Sequence, residues 1–211
     1  MNYVITIARG YGSGGRRIGR KLADALDIDF VDRELLQLAS MESGINEALF
    51  CEADERVKMP PFLFKNSRKS HIGHVLKPEQ NGFISDQNLF NFQAQVLKQL
   101  ITKESFVVMG RAADFVLKDS PNVLSVSIQA PHDSCVQSIM NLLGCPEKDA
   151  ENMIEKTNRY RADFYKYYTG QDWKDQTNFD LCLNGKRLND DIVIRLITEA
   201  ASLKFGLDFL K

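Results

Sequence analysis

From residue 9 to residue 17 the chain reads Arg-Gly-Tyr-Gly-Ser-Gly-Gly-Arg-Arg. The apolar, β-type run from Tyr3 to Ala8 precedes it, and an amphipathic helical pattern follows directly. A glycine-rich turn between a strand and a helix N-terminus offers main-chain N–H groups to an anion, and phosphate suits such a cradle. Glycine serves there because the ligand must come close to the main chain and some positions require positive φ. Gly10, Tyr11, Gly12, Ser13, Gly14 and Gly15 are therefore the candidate cradle, with Arg16 and Arg17 as its cations. The usual phosphate loop ends in Gly-Lys-Ser/Thr, whereas this one offers Gly-Arg-Arg. A guanidinium can do the lysine's work, because it pairs two phosphate oxygens and stays charged. It cannot supply the hydroxyl that normally holds Mg²⁺ on the terminal phosphates, and Ser13 is the only hydroxyl nearby. A plain tight turn is the alternative reading. Three Gly and two Arg in residues 12–17 weaken it, since they cost helix stability without structural need.

Further residues could do chemistry beside this loop. Asp32 ends a short strand pattern, where a carboxylate can orient substrate or the water shell of Mg²⁺, or cap the helix that begins at Arg33. Arg111 follows an apolar strand and Gly110, a place that packing explains poorly. Asp114 stands in the first turn of the next helix, where the helix dipole alone favours an acid. Arg159, Arg161 and Lys166 lie in a polar helix with Tyr165, Tyr167, Tyr168 and then Trp173. Phosphoryl transfer needs cations that arrive over the transferring group and exclude water. A solvated helix face is the plainer account of a charge run, and the aromatics argue against it. His71 and His74 have no third partner at metal-ligand spacing and read as exposed loop histidines. Gln93 could hydrogen-bond a base, although a polar residue on the outer face of its helix is the plainer reading. Asn184-Gly185-Lys186 reads either as a simple turn or as a backbone contact for a nucleotide base.

The elements that must position these residues are legible from periodicity. Ile18, Leu22, Ala25 and Leu26 mark a helix after the loop, Ile28 to Asp32 a short strand, and Arg33 to Ala39 another helix. Residues 46–56 form a short helix, and residues 57–88, with Pro60, Pro61, Gly73, Pro78 and Gly82, a loop-rich stretch. A clear amphipathic helix spans Leu89 to Ile101, and buried strands run over Phe106 to Gly110 and Val123 to Ile128, with a short helix from Ala112 to Leu117 between them. Helices follow over Asp133 to Leu143 and from Glu147 to about Tyr168, the first capped by His132 or Asp133. Leu181 to Leu183 is the last strand and Asp190 to Leu203 the closing helix. Short apolar strands alternating with helices predict an α/β fold, a parallel sheet covered on both faces. Sites in such sheets lie beyond the C-terminal strand ends, where Arg9, Asp32, Arg111 and Asn184 all fall.

With 211 residues, 44% of them hydrophobic and 26% charged, the chain is an ordinary globular sequence long enough for one substantial domain. A net charge of −1 gives no bulk attraction to nucleic acid or to an anionic membrane, so neither is an expected partner and any basic site must be local. Cys51, Cys135, Cys145 and Cys182 have no paired spacing and read as reduced, mostly buried thiols. Without a signal-peptide pattern or a spanning apolar stretch, the expectation is a cytoplasmic location.

Four blocks of this sequence resemble, in order, the nucleoside monophosphate kinases, specifically the cytidylate kinase-like family of bacteria. They are Gly12-Ser13-Gly14-Gly15-Arg16, Phe30-Val31-Asp32-Arg33-Glu34-Leu35, Met109-Gly110-Arg111-Ala112-Ala113-Asp114, and Tyr165-Lys166-Tyr167-Tyr168-Thr169-Gly170 with Trp173. The resemblance runs to about residue 184 and leaves out residues 57–88. It implies a P-loop kinase fold, a doubly wound parallel sheet of about five strands in one domain over 1–211. Residues 45–105 would be a helical acceptor-binding insertion and residues 156–175 a lid. The implied reaction moves the γ-phosphoryl group of ATP to a nucleoside monophosphate, CMP or dCMP first. Arg16, Asp32, Arg159 and Arg161 take the catalytic roles, Arg33, Arg111 and Asp114 hold the acceptor, and Asp32 holds Mg²⁺ through water. Cytidylate kinases carry Asp-Gly-Arg-Asp where this chain keeps Gly110-Arg111 but has Met109 in place of the first acid.

The loop fits the pattern in two registers. One puts Arg16 at the lysine position and Arg17 at the Ser/Thr position. The other, preferred because it needs no gap, puts Gly15 at the lysine position and Arg16 at the serine position. Alternatives to the nucleotide kinase are a P-loop kinase for another small acceptor and a catalytically idle nucleotide-binding regulatory module. The oligomeric state is left open.

Overall fold

The computed structural model describes residues 1–56 and 73–207. Pro60, Pro61 and His71 of the expected loop-rich stretch lie outside the described residues. Five strands, β1 (Val4–Arg9), β2 (Asp29–Val31), β3 (Phe106–Met109), β4 (Val123–Gln129) and β5 (Leu181–Asn184), form one sheet in the order β2-β3-β1-β4-β5. Every neighbouring pair is parallel, with Val4 opposite both Phe106 and Val123. The helices are α1 (Gly15–Leu26), α2 (Glu34–Ser43), α3 (Glu47–Arg56), α4 (Asp86–Lys103), α5 (Ala113–Val116), α6 (His132–Leu143), α7 (Glu147–Thr169) and α8 (Asp190–Phe205).

The strands are apolar without strict alternation because both faces are covered. Ile5, Ile7, Val107, Met109, Val126 and Ile128 point to one side, against Ile18 and Leu22 of α1 and Val193 and Ile197 of α8. Val4, Phe106, Val108 and Val123 point to the other, against α2, α4 and α5. A smaller cluster of Cys135, Val136, Ile139, Ala150 and Ile154 joins α6 to α7, and Tyr11 of the glycine loop packs on it.

Several expectations change. Helix α6 is preceded by Pro131 as N-cap with no side-chain cap, so neither His132 nor Asp133 caps it. Helix α7 spans Glu147–Thr169 as expected, but the 156–175 stretch is not polar throughout: Phe164 and Tyr165 of the helix and Trp173 beyond its end are buried in the α2–α4 core. Tyr168 stacks on Phe90 with ring centroids 3.9 Å apart. The tyrosines follow the core stripe of α7, and their burial outweighs the exposed charges between them. Among the cysteines only Cys135 is buried, with Cys51 and Cys182 exposed.

Candidate active site

The strands end, at their C-termini, around a cleft of about 970 Å³. Seven arginines (Arg9, Arg16, Arg17, Arg20, Arg33, Arg111, Arg161) and Lys186 line it, against the carboxylates of Asp32 and Asp114. In a chain of net charge −1, this concentration of cations in one concavity selects a highly anionic ligand.

The glycine loop forms the floor. Gly12 and Gly14 have φ of +81° and +86°, which L side chains rarely adopt. A Cβ on Gly12 would lie 2.8 Å from the Cys135 carbonyl oxygen, so the loop lies directly on α6. Helix α1 then starts at Gly15 with Gly14 as an N-cap that has no side chain to give. Every other described α-helix carries an acid in its first turn, whereas α1 carries none. Its first turn holds Arg16 and Arg17, so the positive end of its dipole is left for a ligand. Among the described residues the amides of Gly12, Gly14, Arg16 and Arg17 have no main-chain acceptor. Ser13 is fully buried, and its Oγ accepts the Gly15 amide at 3.3 Å.

The two arginines diverge. Arg16 Nε lies 2.8 Å from Asp32 Oδ2 at the rim of the cleft, with the arginine side chain 63% exposed. Arg17 reaches back over Gly14 to Asp190 at the start of α8, at 2.7 Å, and Lys21 shares that carboxylate at 2.9 Å. A Cβ on Gly15 would sit 2.6 Å from Arg9 Cβ. That position has no room for a side chain, so the register placing Arg16 at the lysine position and Arg17 at the Ser/Thr position fits the structure, and the gapless one does not. Asp32 is no helix cap either. Arg33 is the N-cap residue of α2, and the Asp32 amide donates to Glu34 Oε2 at 3.0 Å.

The far wall comes from β3 and the turn after it. Gly110, Arg111 and Ala112 take φ of +68°, +57° and +51° in succession. A left-handed residue other than Gly costs about 1–2 kcal/mol, and such strain gathers at functional sites. The strained turn aims Arg111 along the cleft, where its Nη1 donates to Gln93 Oε1 at 3.3 Å. Gln93 is not on an outer face but buried, 4% exposed. Asp114 is buried too, and the Tyr165 hydroxyl donates to its Oδ2 at 2.6 Å. Burial pushes the Asp114 carboxyl above its ordinary value, and the hydrogen bond from Tyr165 only partly opposes this. Burial, then the neighbouring Asp114 charge, pushes Tyr165 well up.

Helix α7 closes one side. Arg161 Nη1 donates to the Arg9 carbonyl at 2.9 Å, and its guanidinium lies over the Tyr11 ring. Asn158 Oδ1 accepts the Tyr11 amide at 2.8 Å. Sequence reasoning missed Asn158, because one polar residue in a polar helix gives no signal. Arg159 is not in the cleft. It pairs with Glu155 one turn earlier on the outer face, both side chains exposed, and Lys166 is likewise exposed away from the cleft. Asn184 Oδ1 accepts the amides of Lys186 and Arg187, and a Cβ on Gly185 would meet the Ser13 carbonyl oxygen at 2.6 Å. The turn after β5 therefore packs on the glycine loop and brings Lys186 to it.

The donor set does not fit a directly coordinated Mg²⁺. The Ser/Thr position is Arg17, Ser13 Oγ is buried and occupied by the Gly15 amide, and Asp32 faces Arg16. Among the described residues no group of three His, Cys, Asp or Glu is placed to hold a metal ion. The cradle itself fits the phosphates of ATP, with open amides, a helix N-terminus and cations around them.

Comparison with known proteins agrees with this geometry. A structure of an uncharacterized protein from Eubacterium ventriosum ATCC 27560 is 25% identical with a TM-score of 0.69, the match covering 95% of this chain and 99% of that one. Shikimate kinase from Bacteroides thetaiotaomicron is 14% identical with a TM-score of 0.51, covering 97% and 99%. The latter likeness supports the fold alone, a P-loop kinase fold. No curated protein matches the chain. No described helix is long and apolar enough to cross a membrane. The family profile of the cytidylate kinase-like proteins matches residues 4–187, and the chain belongs to that family.

Proposed function

We propose that the protein transfers the γ-phosphoryl group of ATP to a nucleoside monophosphate, with CMP or dCMP the first candidates by family resemblance. The observation that carries the reading is the two-sided cationic cleft. An open-amide loop at the N-terminus of α1 lies on one side, and Arg33, Arg111 and the buried Asp114 lie on the other. The loop amides of residues 12–17 would hold the donor phosphates, Arg16 and Arg161 would face the transferring group, and Arg33 and Arg111 would hold the acceptor phosphate. Asp114 and Gln93 supply polar edges for the acceptor's base or sugar. Residues 45–105 would thus serve the acceptor through α4. No covalent intermediate is needed, because positioning and charge stabilisation carry phosphoryl transfer.

ADP release, measured chromatographically over a panel of nucleoside monophosphates and other small phosphate acceptors, tests this. Turnover with CMP or dCMP above all others is the expected result. Turnover with a non-nucleotide acceptor alone would overturn the acceptor assignment. The replaced Lys and Ser/Thr favour one second reading, a nucleotide-binding module without turnover, and ATP binding with no ADP release from any acceptor would establish it.

A further inference from the structure

We infer that this cleft takes its triphosphate donor free of divalent metal, the charge a metal ion would bring being supplied by fixed guanidinium groups. The inference rests on the kinase reading above and names the form of its donor.

Three observations carry it. The first is the fate of the hydroxyl. At the position where a Ser or Thr would meet a metal ion, Arg17 stands instead, and its guanidinium lies beside Gly14, held there by Asp190. Lys21 shares Asp190, so the arginine is one of two cations anchored at this edge of the loop. The second is the fate of the carboxylate. Asp32, an acid of the cleft wall, lies 2.8 Å from Arg16 and is mostly buried beneath it. A carboxylate that could order the water shell of a cation orients a cation of the protein instead. Asp114, the other acid of the cleft, is buried and takes the Tyr165 hydroxyl. The third is the charge of the whole concavity, where seven arginines and a lysine face two carboxylates. A fully ionised triphosphate complements that field better than its metal complex, which has lost half of its negative charge. A hydrated divalent ion would also enter among like charges at short range, with the phosphates but no hydroxyl at the Ser/Thr position of the loop to replace its water.

Calorimetric titration of the full-length protein with ATP, once in EDTA and once in excess Mg²⁺, tests the inference. ATP is expected to bind in EDTA at least as tightly as in Mg²⁺. Any gain on adding Mg²⁺ of threefold or more would overturn it while leaving the kinase reading in place. Absence of binding in both buffers would overturn both. Arg17→Thr restores the hydroxyl, and Lys21 keeps Asp190 paired, so the fold should survive, as a thermal melt would verify. In that variant the Mg²⁺-to-EDTA affinity ratio should rise at least tenfold over wild type. A ratio unchanged from wild type would mean that the guanidinium is not what excludes the metal, and would overturn the assignment.

Discussion

Replacing Gly12 by Ala isolates the contact that seats the glycine loop. The new Cβ would lie 2.8 Å from the Cys135 carbonyl oxygen, 2.9 Å from Cys135 Cβ and 3.0 Å from its Cα. Two of those atoms are main chain, so the first turn of α6 or the loop must shift. Overpacking of this kind costs about 1–3 kcal/mol, and a left-handed Ala adds about 1–2 kcal/mol. Lower entropy of the unfolded chain returns about 0.4–1 kcal/mol. The net loss is therefore about 1–5 kcal/mol, a fall in Tm of roughly 2–20 °C for a domain of this size. Gly44 provides the control, since it has φ +69° and a Cβ added there would meet no atom within 4 Å. Gly44→Ala should cost the left-handed term less the same entropy return, about 0–1.5 kcal/mol or a few degrees. Thermal and urea unfolding of both variants, with ATP titration of each, measures the difference. Gly12→Ala should also weaken ATP binding, whereas Gly44→Ala should not. Equal losses in the two variants would refute the seating of the loop on α6.

Arg16→Ala should lower kcat/KM by about 10²-fold, the scale of one lost charge-assisted contact in the transition state. Arg16 is largely exposed in its pair with Asp32, and such a rim pair contributes little stability, so Tm should move by no more than a few degrees; a drop in kcat/KM below threefold would remove Arg16 from the site. Arg161→Ala should cut kcat at least tenfold and Arg159→Ala less than twofold, because only the former reaches the loop; steady-state kinetics showing the reverse order would contradict the assignment. Asp114→Asn should gain stability relative to wild type as pH rises from about 4, the ordinary carboxylate value, to about 8. Burial raises the folded-state pKa of Asp114, so its contribution is complete below the unfolded carboxylate value and is lost as pH rises through the folded one. An Asn keeps an acceptor for the Tyr165 hydroxyl and does not titrate; parallel melting curves across that range would show that the buried charge is not what matters.

The strands and most helices were legible because short apolar runs and helical stripes have no other home in a covered parallel sheet. The spatial order of the strands was not, since no local pattern in β2 or β3 says which one lies beside β1. Within the site, the loop, Asp32 and Arg111 were readable from residue type at strand ends. Arg159 was misread for a reason the sequence itself contained. Residues two apart on an α-helix point about 200° away from each other, so Arg159 and Arg161 could not both face one cleft. The loop register was misjudged because spacing counts residues and not the room for a Cβ at Gly15. The burial of Gln93 was not legible because its partner, Arg111, lies 18 residues away and meets it only through the strained turn.

Helix α7 touches both halves of the cleft with one rigid body. Asn158 and Arg161 grip the main chain of the glycine loop on either side of Gly10, at the Tyr11 amide and the Arg9 carbonyl. One to two turns further on, Tyr165 of the same helix holds Asp114 on the opposite wall. Four to seven residues of helix span only about 6–10 Å and bend little over that length. A ligand that shifts Asp114 therefore moves the same rod that holds the loop amides. The two ligands then share a coupling free energy, which is reciprocal by thermodynamic necessity. Whatever factor the acceptor adds to the affinity for the donor, the donor must add to the affinity for the acceptor.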